Sequence, residues 1–293
     1  MKNTSNTLQE IMPGISYWEY IQTDVLLSLQ NPKTDFEDEQ IFIMYHQVTE
    51  LIFKMIIHEL RQLVESPYAE DKMIDKLDRV NRYTELLTTS FSIMKHGMDY
   101  QQYDSFRKEL VPASGFQSAQ FRHIEIYCTR ITNLVSKTKN VNLGESPSVE
   151  ASFEYLYWKD AGLDKQTGEK TPTLRSFEEK HEKALIQLAK DVRGKTIEDM
   201  LLNLPITQAA ILEKLKRFDY LYNVKWPLVH LETAAHYLDS RGENKPGTGG
   251  SEWKKYLHPK HQKRSFFPSL WDKCKIYEWT EASETDLYKN TAS

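Results

Sequence analysis

The sequence predicts an all-helical protein, and three observations carry that prediction. Glycine is sparse, at 11 of 293 residues. Alternation of apolar and polar residues, the mark of half-buried strands, is hard to find. Several long stretches instead repeat their apolar residues at three and four, the period of a helix that buries one face. There is no internal repeat and no linker-like stretch, so residues 1–293 are expected to form a single domain, with residues 1–13 a polar tail.

Tyr17 to Gln30 (YWEYIQTDVLLSLQ) reads as a short helix between Pro13-Gly14 and Asn31-Pro32. Asp38 to Ser66 reads as a long one: neither Gly nor Pro interrupts it, Asp38 and Glu39 suit the positive end of the helix dipole, and Ser66-Pro67 closes it. Its apolar residues make two stripes. Ile41, Met44, Val48, Leu51, Met55 and Leu63 are expected to face the core, while Phe42, His46, Thr49, Phe53 and Ile56 make the second stripe. A helix apolar around most of its circumference belongs inside, so His46 is expected to be buried and neutral, with one ring nitrogen a donor and the other an acceptor. The helix alone fits a core histidine satisfied by a backbone carbonyl at least as well as a site residue.

Asp71 to Lys95 is a further long helix, with Leu77, Val80, Thr84, Leu87, Phe91 and Met94 on one side. Gln101 to Leu110 is a short helix that leads into VPASGFQS, where Pro112 and Gly115 demand a loop. Helix resumes from Ser118, a capping residue, to about Lys137, with Phe116 placed to staple its start. Residues 138 to 172 are polar and broken except for the aromatic run from Phe153 to Asp160, as expected of a functional or covering loop. Thr173 to Asp191 and Thr196 to Asn203 are helices. Thr207 to Tyr237 is the second long one, bent near Trp226-Pro227. Asp239 to Ser251 is a flexible loop, and the tail carrying Trp253, Tyr256, Phe266, Phe267 and Trp271 should pack back onto the helices.

A net charge of −4 with both signs interspersed argues against binding nucleic acid or a membrane surface. Cys128 and Cys274 stand far apart, so neither a disulfide framework nor a cysteine metal site is expected, and a reducing compartment is the default. The polar N-terminus and the lack of a long apolar run predict a cytoplasmic protein. GTGGS at Gly247 to Ser251 lacks the spacing and lysine of a phosphate loop, His58-Glu59 lacks the second histidine of a zinc protease helix, and no CxxCH is present.

Three constellations ask for chemistry. Phe42 and His46 lie one turn apart and point into one space. Tyr103 and Arg107, also four apart, would present a phenol and a guanidinium together, a pairing suited to a ligand carboxylate; a solvated arginine is the plainer alternative. His230 lies on a face with Leu228, Leu231, Ala234, Ala235 and Leu238, where small residues permit close approach of a planar cofactor or simple core packing. A b-type haem needs one proximal histidine and leaves no spacing motif, so this pattern alone does not decide.

Taken together, YWEYIQTDVLLSLQ, DEQIFIMYHQVTELIFK, YDSFRKELVPASGFQSAQFR, the helix with His230, and TGGS resemble the tryptophan 2,3-dioxygenase family, tetrameric all-helical enzymes with b-type haem. The resemblance runs in order from Tyr17 to Ser251. It implies that L-tryptophan and O2 give N-formylkynurenine, as in the kynurenine pathway, with no external electrons consumed. It implies His230 as proximal ligand of the haem iron, His46 as the distal histidine that accepts the indole N–H, and Phe42 in the indole pocket. It further implies Arg107 and Tyr103 on the substrate carboxylate, Thr248 at the amino-acid head group, and Ser114 near the haem edge. Tyr17, Tyr20 and Ile21 match a segment that reaches into a neighbouring subunit's site, making a homo-oligomer, expected to be a tetramer, part of the site's construction. Ile52 stands where the family usually has Trp, and Lys95-His96 where an acidic Glu-Thr pair is common. The competing expectations are a related haem oxygenase acting on a modified tryptophan, and a helical haem-binding protein without turnover.

Overall fold

In chain order the helices are α1 (Tyr17–Ile21), α2 (Thr23–Leu26), α3 (Asp38–Glu65), α4 (Glu70–His96), α5 (Tyr100–Phe106), α6 (Ala119–Cys128), α7 (Val149–Phe153), α8 (Tyr157–Ala161), α9 (Pro172–Phe177), α10 (Lys183–Asp191), α11 (Ile197–Leu202), α12 (Ala209–Tyr220), α13 (Trp226–Leu238) and α14 (Trp253–Leu257). They come from a computed structural model that describes residues 14–66, 69–110, 117–137, 141–164, 167–204, 208–239, 245, 253–259 and 264–271. The described residues hold no strand beyond the isolated bridges Val135–Leu156 and Leu163–Lys170, so the fold is all-α. None of the described helices is long and apolar enough to cross a membrane.

The frame is α4 packed between α3 and α12, with α6 on the other side of α3 and α13 also resting on α4. On α4 the predicted face is the observed one, for Leu77, Val80, Thr84, Leu87, Phe91 and Met94 are all buried. On α3 it is not. Tyr45, Ile52, Phe53, Ile56, Leu60 and Leu63 form the inward face, whereas Met44, Val48, Leu51 and Met55 remain between 39% and 47% exposed. Both stripes have helical spacing, and period alone does not say which one looks inward. The outward stripe is therefore an apolar strip that a single chain leaves bare.

The first predicted helix is two. A capping box between Ser16 and Glu19 starts α1, and Gln22 at φ 53° turns the chain before Thr23 starts α2. None of the apolar side chains on either piece is buried, so packing does not hold them as one helix. The other long prediction, Thr207 to Tyr237, is continuous from Ala209, Thr207 lying outside the described residues, but passes through a π-turn at Leu221–Lys225 between α12 and α13. Pro227 explains it: proline has no N–H to return to the preceding turn, and the wider turn absorbs the mismatch. A second π-turn at Glu178–Glu182 joins α9 to α10. The helix opened by the Ser118 cap stops at Cys128 and is followed by a 3₁₀ turn at Ile131–Leu134.

The aromatic run in residues 138 to 172 is core rather than cover, since Phe153, Leu156, Tyr157 and Trp158 are buried in the main apolar cluster. As predicted, the chain returns at the end to bury Trp253, Phe266 and Phe267. Asp219, on α12 just before the π-turn, anchors that return. Its carboxylate accepts from Ser265 Oγ (2.6 Å), the N–H groups of Phe266 and Phe267 (2.8 and 3.1 Å), Trp271 Nε1 (3.0 Å) and Asn223 Nδ2 (2.7 Å).

Candidate functional site

Three helices bring the predicted residues together. Near its N-terminus α3 carries Phe42 and His46 one turn apart, with ring centroids 4.1 Å from each other. The His46 Nδ1 lies 2.7 Å from the Phe42 carbonyl oxygen, and a carbonyl can only accept, so Nδ1 carries the proton. That fixes the tautomer: Nε2 holds the lone pair and is the acceptor offered to a ligand. Burial lowers the His46 pKa below its ordinary value, against smaller opposing effects of the Phe42 carbonyl and Glu50.

On α13, Trp226 and His230 rest on α4. The His230 ring stacks on Phe91 at 5.2 Å, Trp226 lies 6.3 Å from Phe91, and Tyr45 of α3 lies 5.7 Å from the same ring. Burial first, and then the nearness of His46, push the His230 pKa down to about 4. Both imidazoles are neutral at pH 7. Each also keeps some accessible surface although protein surrounds it densely enough to suppress its charge, which is how side chains lining a recess behave.

The third helix, α5, is set by its cap. Asp99 accepts from the N–H groups of Gln101 and Gln102, and Asp38 at the start of α3 accepts from the Asp99 N–H at 2.5 Å. The Asp38 N–H in turn donates to Gln102 Oε1 at 3.1 Å. So tied, α5 places Tyr103 and Phe106 at 6.2 and 5.6 Å from the Phe42 ring. Tyr103 also meets Tyr237 of α13 at 4.2 Å, and the Tyr237 hydroxyl donates to the Met94 carbonyl at 2.7 Å. Next along the helix is Arg107, only 8% exposed, with Nη1 3.7 Å from Asp104 Oδ1.

The result is an aromatic box made by Phe42, Tyr103, Phe106 and Tyr237, with a hydrogen-bond acceptor on α3 and a guanidinium at the C-cap of α5. Its chemistry suits a flat apolar ligand carrying one N–H and one carboxylate. Phe106 and Tyr237 were not singled out in the sequence. Tyr237 lies seven residues after His230, two turns along the same side, and that spacing was the available signal. Tyr17 and Tyr20 stand 72% and 74% exposed and Ile21 is exposed too, so within one chain they do not join the cluster. Ser114 and Thr248 lie outside the described residues.

The residues present fit a haem. A neutral histidine has the lone pair an iron ligand needs. Half-buried Val229, Leu231, Ala234 and Ala235 give its helix an apolar, small-residue surface. The indole Nε1 of Trp226, one turn before His230, is buried without a hydrogen-bond partner. A separate groove of about 360 Å³ between the end of α6, residues 145–149 and the α10–α11 connection shares none of these residues.

A sequence model of the family described as tryptophan 2,3-dioxygenase matches residues 2–200, which include Phe42, His46, Tyr103 and Arg107 and end before His230. The tryptophan 2,3-dioxygenase of Bacillus thuringiensis subsp. konkukian (strain 97-27) is 31% identical over 288 residues, covering 88% of this chain and 91% of that protein. That of Exiguobacterium sibiricum is 28% identical over 297 residues, covering 92% and 95%. That of Ruegeria sp. (strain TM1040) is 29% identical over 267 residues, covering 88% and 91%. With a family model spanning most of the chain and relatives aligned over nearly all of it, this chain belongs to the tryptophan 2,3-dioxygenase family.

Proposed function

We propose that this protein opens the indole ring of L-tryptophan with O2, placing one oxygen atom on each carbon of the 2,3 bond to give N-formylkynurenine, the first step of tryptophan breakdown by the kynurenine route. The observation that carries the reading is the His46 tautomer. With Nδ1 committed to the Phe42 carbonyl, Nε2 accepts the indole N–H and fixes the ring in the box of Phe42, Tyr103, Phe106 and Tyr237. Arg107 takes the substrate carboxylate, and the Tyr103 hydroxyl assists. Two polar anchors at opposite ends of a flat ring define its orientation, so their contribution is one of positioning.

His230 would hold a b-type haem through its iron, and that group supplies the binding and activation of O2. The chain's own residues bind and orient the indole, exclude water from the box and keep both imidazoles uncharged. Both atoms of O2 enter the product, so no external reductant is consumed in turnover.

A homo-oligomer, in our reading a tetramer, completes the protein. The outward strip of Met44, Val48, Leu51 and Met55 on α3, together with exposed Tyr17, Trp18, Tyr20 and Ile21, is the kind of surface a second copy covers. Ser114 near the haem and Thr248 at the substrate head group are part of the same reading, as is a cytoplasmic setting.

Turnover of L-tryptophan under ¹⁸O₂ tests the proposal. The product expected is N-formylkynurenine carrying two labelled atoms. A singly labelled product would assign the protein to oxygenases that insert one atom, and no product from haem-loaded protein would leave a binding role.

A further inference from the structure

Asp104 lies among three cations. Its Oδ1 is 2.8 Å from Lys245 Nζ and 3.7 Å from Arg107 Nη1, while its Oδ2 is 3.5 Å from Lys108 Nζ. The first is a close ion pair, whereas the second is longer than any hydrogen bond. Lys245 is held in place for this contact. Its N–H donates to the Leu238 carbonyl at the end of α13 (2.9 Å), and its carbonyl accepts from the indole N–H of Trp253 (2.9 Å). Its ammonium also lies 5.6 Å from the centre of the Tyr100 ring. The adjacent Lys245 ammonium, partly offset by burial, holds the Asp104 carboxyl below the usual range, so Asp104 is a full anion at neutral pH.

An anion one helical turn from Arg107 is a competitor for it. Residues three apart on a helix are neighbours, and Asp104 needs to close little distance to pair directly with the guanidinium. A carboxylate already seated there would have to be displaced by any ligand carboxylate. Lys245 engages the same Oδ1 at the shorter distance.

We propose that Lys245 is a positioning residue for substrate binding: by engaging Asp104 it keeps that carboxylate from closing on Arg107, and so raises the affinity of the site for the substrate's carboxylate. The inference rests on Arg107 being the carboxylate-binding residue. It assigns functional weight to a lysine and an aspartate outside the aromatic box, and to a charge arrangement that links α5 to the chain after α13.

Steady-state kinetics on the haem-loaded, full-length protein test it with five variants. In K245M, KM for L-tryptophan should rise roughly ten-fold while kcat changes far less, because the lost interaction is one of binding. In K245M/D104N the competitor is gone, and KM should return to within about two-fold of D104N alone. K245R, which keeps the cation, should resemble the parent. An unchanged KM in K245M overturns the proposal. So does a double variant as weak as K245M, which would make Lys245 a direct ligand contact or a mere structural tie. R107A separates the two levels of the argument. If R107A raises KM and K245M does not, Lys245 alone loses its role. If R107A itself leaves KM unchanged, the carboxylate reading fails and the Lys245 proposal with it.

Discussion

Replacing His46 by Ala removes the acceptor proposed for the indole N–H. The lost hydrogen bond contributes about 0.5–1.5 kcal/mol net, and leaving its partner unsatisfied in a partly buried aromatic box costs about 1–3 kcal/mol more. Together these place the loss in kcat/KM at roughly ten- to two-thousand-fold. The assay is initial-rate formation of N-formylkynurenine from L-tryptophan and from 1-methyl-tryptophan, whose indole nitrogen bears no hydrogen. The parent enzyme should discriminate strongly between the two, and His46→Ala should lose most of that discrimination. The same residue sets an acid limb. Protonated Nε2 no longer accepts, and burial lowers the His46 pKa from its ordinary value, so the fall in kcat/KM that this group causes should come at lower pH than for a free imidazole. In His46→Ala the contribution of this group to the limb disappears. Discrimination against the methylated substrate that survives intact in the variant would refute the acceptor role.

Other residues give further tests. Arg107→Ala should lower kcat/KM by roughly ten- to a hundred-fold, the loss of a charge-assisted contact of about 1.5–3 kcal/mol, and a rate within error of the parent would remove the guanidinium from substrate binding. Leu51→Glu places a charge in the exposed apolar strip of α3 and should dissociate the oligomer with the helical circular dichroism retained; sedimentation showing the parent assembly would mean that this strip is not the interface. Asp219→Ala strands a set of buried donors on the returning C-terminal segment and should destabilise the protein by about 3 kcal/mol or more, measured by denaturant unfolding, whereas Ser265→Ala, which removes one of those donors, should cost nearer 1 kcal/mol.

What the sequence made legible follows from what a pattern can encode. The face of α4 was readable because Leu77 through Met94 has one apolar side and that side meets the chain's own core. On α3 both stripes are expected inside, and of the first only Met44, Val48, Leu51 and Met55 turn outward. Met44, Val48, Leu51 and Met55 are as apolar as a core face, but the chain itself does not bury them, and a period carries no information about who the neighbour is. The turn at Gln22 and the π-turns before Trp226 and Lys183 lack a glycine signal, and only Pro227 hinted at one of them. Phe42 with His46, and Tyr103 with Arg107, were found as pairs one turn apart, and the fold brings the two pairs together. Their joining depends on the Asp38–Asp99 contact between α3 and α5, a tertiary event that local spacing does not contain. Phe106 and Tyr237 passed as ordinary apolar positions for the same reason. The resemblance of the motifs to a family supplied the roles that residue pattern alone had left open, and it placed Ser114 and Thr248 in segments outside the described residues.

The central claim is that His46 and His230 face a shared space that takes haem on one side and the indole of L-tryptophan on the other. An absorption spectrum of the purified, dithionite-reduced protein under CO, recorded before and after L-tryptophan is added, tests it most directly. A strong haem Soret band that moves when tryptophan binds is expected, with the band lost in His230→Ala and the shift weakened in His46→Ala. Protein that takes up no haem on supplementation, or a Soret band indifferent to tryptophan at saturating concentration, would contradict it and return both histidines to the packing of the core.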